Sequence, residues 1–500
     1  MSIKKRILAV AAASALGAMA AVPAMAFENE FHGNYTLKYF LDNYENGSGG
    51  TILSPSTSGA TNHYVAPTTG NTTQNLRPNN YFEQRARLFY TAKANDDLKL
   101  VTGFEIDSVW GDRAQGATFR NSGAALESDA VNLETKWVYL QFKIPSTPTT
   151  VTAGVQPFKD NIKGIFADFD AAGVVTATKL DNATVVAGYF RGYDGAYSGS
   201  GVDNNITKTN VLGYQDLHIG TVAVKYALSK DANVGLDYYI YDDSRGTLST
   251  SDIMLHTFGL YGDAKVGPVA LSGFVAYQGG VLKNLSGTAD SAYLNALAYN
   301  VAAKVAVGPG TLRTALLFTS GNSNNTGKHL TGWVGTAQSQ NATWAGNSGT
   351  CSYNESGMML LNRNAASQGT TTDYGIAYNT GNGTTPVNAQ GMYLYTLGYD
   401  INVTPKAFVN TNLGLLWAAH TNSLKPYDKK TGLANATNFQ GTEINVEAGY
   451  KMYDNLTAKI QAAYVVLGGY YNGSSTIGTA AAPHDPDNPY TARVVLSYAF

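Results

Sequence analysis

The sequence predicts an all-β protein, a membrane-spanning antiparallel β-barrel of about 18 strands with short turns at one end and long loops at the other. Three observations predict this fold. Segments of roughly ten residues alternate between apolar and polar side chains. The connections between the segments are alternately short and long, and the alternation continues to the last residue, Phe500. A strand count of about 16 to 18 fits these observations.

The first segment of the chain has the features of a cleaved secretory signal peptide. Residues 4–6 are basic, a short apolar stretch follows, and the AMA at 24–26 has the small-x-small pattern that signal peptidase cuts. The apolar stretch is short for the alternative, a membrane-anchoring helix. We therefore expect residues 1–26 to be removed and residues 27–500 to form a single exported barrel domain.

Composition excludes several classes of function. The 500 residues carry a formal net charge of -2, which gives no strong field to attract nucleic acid. The chain has one cysteine, Cys351, so it forms no intrachain disulfide. Beyond residue 26 there is no run of about eighteen apolar residues, so we predict no membrane-spanning helix.

The strand pattern begins at residues 31–41, FHGNYTLKYFL, where apolar side chains occupy one face and polar side chains the other. Residues 81–94 repeat the pattern, and the turn at 95–97 returns the chain into a third strand at 98–110. Residues 443–452 and 456–464 also keep their charges on one face. Residues 131–143 are less regular, which a β-bulge or a strand end in the polar rim would explain.

The connections continue this alternation to the end of the chain. The further short turns are expected near 145–148, 179–183, 229–232, 266–268, 307–310, 404–406 and 453–455. The long connections are expected at 42–79, 111–131, 157–172, 192–215, 242–252, 280–290, 321–390, 419–442 and 471–488. One hairpin per short turn, with an unpaired strand at each end of the chain, gives the predicted strand number.

A soluble β-sandwich, propeller or solenoid is the alternative fold. Those folds bury Val, Ile and Leu in a core, whereas many apolar positions here are Tyr, Ala or Gly. No repeat of fixed length appears, which disfavours a propeller or a solenoid. An Arg or Lys facing lipid at mid-bilayer costs roughly 2–4 kcal/mol, so charges confined to one face favour the barrel.

The last strand, PYTARVVLSYAF, has Val494, Leu496, Tyr498 and Phe500 in step on one face. It resembles the terminal signal of Gram-negative outer-membrane proteins. Together with NYFEQRARLFYTAKANDDLKLVTGFEID and WVYLQFKIP, the mature chain resembles the bacterial porin family. The resemblance implies a protein in contact with outer-membrane lipids, whose terminal Phe500 is read by the barrel-assembly machinery. It also implies assembly into a homotrimer, as is frequent in porins.

The third long connection, residues 156–173, differs from the others because it carries three phenylalanines. Such a loop gains nothing in solvent, so we expect it to fold into the pore rather than pack on the rim or at a subunit contact. The third loop of porins does the same. Asp160, Asp168 and Asp170 would then project into the lumen.

A basic patch is expected on the opposite wall. Lys38, Arg85, Arg87 and Arg493 are inward positions of the first, second and last strands, which are neighbours in a closed barrel. An acidic loop facing this patch would set up a transverse field across the constriction. In the alternative, Glu83, Glu443 and Glu447 pair with these cations and tile the wall. Sequence does not choose between the two.

No catalytic or metal-binding chemistry is indicated. The seven histidines show no ligand-like spacing, and we identify no nucleophile elbow or haem motif. We predict no enzyme activity, no cofactor and no metal. The leading hypothesis is a diffusion channel for small hydrophilic solutes and ions. The alternatives are a selective channel for sugars, oligosaccharides or organic anions, a sheath around a haem protein in an electron conduit and, most distantly, an outer-membrane hydrolase.

Overall fold

The computed structural model is a closed antiparallel β-barrel. Its main sheet contains 19 strands, of which the two-residue strand His329–Leu330 pairs in parallel with the first residues of a longer strand, leaving 18 in the wall. The described residues are 28–43, 79–111, 124–126, 133–194, 216–244, 252–283, 291–322, 328–335, 353–362, 389–420, 427–428, 433–434, 437–473, 485 and 488–500. The signal-peptide prediction for residues 1–26 lies outside them.

The wall strands follow one another in chain order. They are β1 (Glu28–Asp42), β2 (Asn79–Asn95), β3 (Leu98–Val109), β4 (Glu134–Lys143), β5 (Thr149–Lys159), β6 (Asp168–Leu180), β7 (Ala183–Tyr193), β8 (Leu217–Ser229), β9 (Ala232–Asp243), β10 (Asp252–Val266), β11 (Val269–Lys283), β12 (Ala292–Val307), β13 (Gly310–Thr319), β14 (Met392–Asn402), β15 (Ala407–Trp417), β16 (Phe439–Tyr453), β17 (Leu456–Leu467) and β18 (Tyr490–Ala499). Two short 3₁₀ helices, Asn354–Ser356 and Gly469–Tyr471, lie in the long connections.

Each strand pairs antiparallel with the next, and β18 pairs with β1 to close the cylinder. Closure extends to the last residue: Gly33 N–H donates to Phe500 O at 2.8 Å, and Phe500 N–H donates back to Gly33 O at 3.0 Å. The Phe500 ring also stacks on Tyr498. The terminal residue is therefore held by both its backbone and its ring.

The predicted alternation of short and long connections is confirmed, with one correction. The third long connection, expected at 157–172, is reduced to residues 160–167 because β5 and β6 continue into the predicted loop. The irregular pattern near residue 136 is a β-bulge: β3 and β4 shift register between Gly103 and Phe104. A bulge leaves one residue of β4 without a partner and interrupts its alternation.

The outer face of the wall is apolar. On β12, for example, Tyr293, Leu297 and Val301 are exposed and alternate with buried residues of the inner face. The same alternation appears on β10 and β16. In the part of the chain that the structure describes, no helix is long and apolar enough to span a membrane. The predicted all-β, 18-stranded barrel is confirmed.

Candidate functional site

Residues 160–167, here called the third-loop segment, fold into the barrel. Ile162, Ile165 and Phe166 are almost completely buried, and the Phe166 ring lies 5.1 Å from the ring of Tyr239 on the inner face of β9. Asn161 donates to Asp237 of the same strand at 2.9 Å. The loop thus extends from β5 and β6 to the inner face of β9, as its apolar side chains predicted.

Asp160 fixes the shape of the third-loop segment. Its carboxylate accepts the backbone N–H groups of Gly164, Phe166 and Ala167 at 2.6–2.8 Å. Burial raises the pKa of Asp160 to about 7, although these three donors act in the opposite direction. A carboxylate that accepts three main-chain donors ties a short loop into one conformation.

Residues 353–362, here called the long-loop segment, come from the longest connection and also lie inside the barrel. Glu443 of β16 is completely buried and accepts the backbone N–H groups of Met359, Leu360 and Leu361 at 2.7–3.0 Å. Asn445, two residues along the same strand, donates to Gly357 O at 2.9 Å. One buried carboxylate therefore anchors this segment to the wall at β16.

The two segments meet in the lumen. Lys163 Nζ lies 2.5 Å from a carboxylate oxygen of Glu355. Trp333, from the same long connection as Glu355, donates through its indole N–H to Ile165 O at 3.1 Å. The joined segments, here called the strut, run from β5 and β6 across the interior to β16. The strut divides the lumen into two parts.

The part behind the strut is packed. One buried apolar cluster contains both segments and inward side chains of β7–β15, and it reaches β17 at its edge. The wall members include Phe190, Ile219, Tyr239, Leu255, Phe274, Leu294, Leu317, Leu394 and Leu416. Among the described residues, close packing of this kind leaves little space for water between these side chains. The open part of the described lumen therefore lies on the other side of the strut.

That other side is the charged wall, formed by β16–β18 and β1–β3. The register brings the predicted basic residues together: Lys38 lies beside Glu83 of β2, and Arg493 lies beside Phe40. Arg85 and Arg87 follow two and four residues after Glu83 on the inner face of β2. The four predicted basic residues therefore lie on three adjacent strands, β18, β1 and β2.

Arg85 and Arg87 of the charged wall are paired with carboxylates. Arg85 donates to both carboxylate oxygens of Asp107 at 2.7 Å and lies 3.4 Å from Glu105, which also pairs with Arg87. Arg493 is 1% exposed, with its guanidinium carbon 5.1 Å from the Phe40 ring centre. The wall therefore resembles the alternative in which carboxylates pair with the basic residues more than it resembles an unpaired basic patch. The partners are Glu105 and Asp107, whereas the sequence had indicated Glu83, Glu443 and Glu447.

The structure does not bring the three predicted acidic residues together on one side of the lumen. Asp160 is buried, and its carboxylate oxygens accept hydrogen bonds from the backbone. Asp168 and Asp170 alternate with Phe169, whose ring packs on the buried cluster, so they lie on the opposite face of β6. They pair with Lys159 at 3.0 Å and Lys136 at 2.6 Å. The alternation of β6 begins at Asp168, which sequence had assigned to the loop.

Sequence reasoning missed the residues that build the strut. Lys163, Glu355 and Trp333 were not singled out, and Glu443 was treated as an ordinary inward charge. A signal did exist: residues 358–361 read MMLL inside a connection rich in Asn, Ser, Thr and Gly. That run breaks the polar composition as the phenylalanines of the third loop do. Among the described residues, no group of three or more metal-ligating side chains is positioned to hold a metal ion.

Several solved structures are similar to this chain at low identity. OccAB4 of Acinetobacter baumannii has a TM-score of 0.49 at 12% identity, covering 96% of this chain and 100% of that one. OpdK of Pseudomonas aeruginosa, solved with vanillate, has a TM-score of 0.49 at 12% identity, covering 94% and 98%. A BenF-like porin of Pseudomonas fluorescens Pf-5 has a TM-score of 0.47 at 11% identity, covering 95% and 98%. No protein-family model and no curated protein matches the chain. At these scores the likeness adds nothing to the geometry described above.

Proposed function

We propose that the chain forms a water-filled channel in the outer membrane through which small hydrophilic solutes and ions diffuse. The observation that supports this proposal is the charged wall. A closed barrel with an apolar exterior keeps Arg85, Arg87, Glu105 and Asp107 on its inner face, opposite a packed strut. The Arg85 and Arg87 side chains remain 25% and 31% exposed, whereas their partners Glu105 and Asp107 are nearly buried. Partly exposed guanidinium groups on the inner face support an aqueous space between the wall and the strut.

The strut makes the passage narrower than the barrel, which favours selection among solutes over unrestricted diffusion. A selective channel is therefore the second candidate. The paired wall presents both signs of charge, which suits dipolar hydrophilic solutes better than apolar ones. A sheath around a haem protein is disfavoured because the strut occupies the lumen from β5 to β16. Assembly into a homotrimer and recognition of Phe500 by the barrel-assembly machinery stay predictions.

Reconstitution into a planar bilayer tests the proposal. The purified protein should give discrete conductance steps, and the reversal potential under a salt gradient should report its charge preference. Glu105→Gln combined with Asp107→Asn removes two carboxylates from the charged wall, and the preference should move toward anions. The expected direction follows because Arg85 and Arg87 lose their partners.

A matched control is available on β6. Asp168→Asn combined with Asp170→Asn makes the same change in charge on carboxylates that lie on the other face of the wall, and it should leave the reversal potential unchanged. Absence of conductance in the wild-type protein would reject the channel. Equal shifts in the two double variants would reject the charged wall as the conducting surface.

A further inference from the structure

Lys163 joins more elements than any other cation described inside the barrel. Its ammonium donates to Ser272 of β11 at 2.9 Å, to Asn300 of β12 at 2.5 Å and to Glu355 of the long-loop segment at 2.5 Å. An ammonium has three N–H donors, and each has a protein acceptor here. The tip of the third-loop segment is thereby fixed to the wall and to the second segment at once.

The backbone at Lys163 is in the left-handed region, with φ of 68°, and the next residue, Gly164, has φ of 78°. Glycine adopts this conformation freely, whereas a residue with a Cβ does so at a cost. A glycine at 163 would suit the backbone better but would lack the ammonium. The backbone conformation does not favour a lysine at this position, so we attribute the residue to the hydrogen bonds of its ammonium group.

The ion pair between Lys163 and Glu355 is largely removed from solvent. Their side chains are 17% and 25% exposed. Burial lowers the pKa of Lys163, and the nearby Glu355 carboxylate opposes that shift. When one member of a buried pair is removed, the other is left as an uncompensated charge and the local structure opens to water. The join of the strut is thus sensitive to a single side chain.

We propose that Lys163 sets the width of the passage by holding the third-loop segment against the long-loop segment. Lys163 is a positioning residue for solute selection and does not itself contact the solute. Loss of its ammonium lets the two segments separate, and the passage then includes space that the closed strut excludes. This inference rests on the proposed channel function.

Lys163→Met keeps the length of the side chain and removes its charge. Single-channel conductance should rise by about two-fold or more as the narrowing element moves aside. Lys304→Met is the matched control, because Lys304 is an exposed lysine of β12 whose charge acts on Lys163. It loses the same charge without breaking the join, so its conductance should stay at the wild-type value.

A charge exchange distinguishes a pairing role from general damage. Lys163→Glu and Glu355→Lys should each raise conductance, and the double variant should return it toward the wild-type value. Folded Lys163→Met with wild-type conductance would overturn the inference. So would a folded double variant that conducts like the single ones. Resistance to unfolding in cold SDS shows which variants are folded.

A second readout does not depend on conduction. Chymotrypsin should cleave the long-loop segment faster in Lys163→Met than in the wild type or in Lys304→Met, because the join protects that segment. Equal cleavage in all three overturns the inference. If the wild-type protein does not conduct, the proposed function fails, and the cleavage assay still decides whether Lys163 holds the strut.

Discussion

Replacing one carboxylate oxygen of Glu443 should weaken the attachment of the strut to β16. In Glu443→Gln the side chain keeps its shape, but one acceptor oxygen becomes an amide group that cannot accept a hydrogen bond. If the remaining oxygen keeps Met359, the N–H groups of Leu360 and Leu361 lose their acceptor. Hydrogen bonds to a charged group contribute about 1.5–3 kcal/mol each, so local opening becomes easier by about 3 kcal/mol or more. That corresponds to an increase of roughly 100-fold in the opened population.

Limited proteolysis measures that population when opening is fast relative to cleavage. Chymotrypsin should cut residues 353–362 of folded Glu443→Gln roughly 100-fold faster than it cuts the wild-type protein. Glu447→Gln is the matched control: Glu447 lies four residues after Glu443 on the same inner face and accepts hydrogen bonds from Asn410 and Gln461 instead of the long-loop segment. A cleavage rate for Glu443→Gln equal to that of the wild type or of Glu447→Gln would refute this account of the anchor.

Three further predictions concern other parts of the barrel. The pKa of Asp160 is about 7 in the folded protein, against roughly 4 in the unfolded chain. Between these pH values the folded state binds one more proton than the unfolded state. The stability that protonated Asp160 contributes to the folded state is therefore lost as the pH rises from about 4 to 7. The protection of the Gly164 amide from hydrogen exchange, relative to the unfolded chain, should therefore be greater at pH 5 than at pH 8. Asp160→Asn should remove this pH dependence. Gly33→Ala would place a Cβ 2.4 Å from Arg87 O and 2.7 Å from the Phe500 ring, so urea unfolding should show a loss of about 1–3 kcal/mol. Val301→Arg puts a charge on the lipid-facing surface, where the residue is 61% exposed, and should cost about 2–4 kcal/mol in lipid bilayers if it lies near the midplane.

The barrel could be predicted because its physics is local. Period-two alternation depends on each strand alone, and turn lengths are visible in the composition of a few residues. The basic patch followed from the same logic, since closure makes the first, second and last strands neighbours. Residue 136 shows the limit of that reasoning. A bulge changes the face of a side chain, and sequence offered two explanations for the irregular pattern without a choice.

The strut could not be predicted because it depends on contacts between distant residues. Lys163 and Glu355 are 192 residues apart, and Glu443 is a further 88 residues along the chain. No periodicity links them. The placement of the acidic residues could not be predicted for a different reason: β6 begins earlier than the composition indicated. Asp168 and Asp170 are therefore strand residues with a fixed face, not side chains of a loop free to turn inward.

Because the buried cluster lies behind the strut, substitutions on the two sides of the barrel should have different effects. On β7–β15 a substitution such as Leu294→Ala removes atoms from a close-packed interior and should appear as lost yield or lost folding. On β1–β3 a substitution of Arg87 should leave the fold intact and change the passage of solutes through the proposed channel. Sequence variation that leaves the fold intact is therefore expected to concentrate on the few strands of the charged wall.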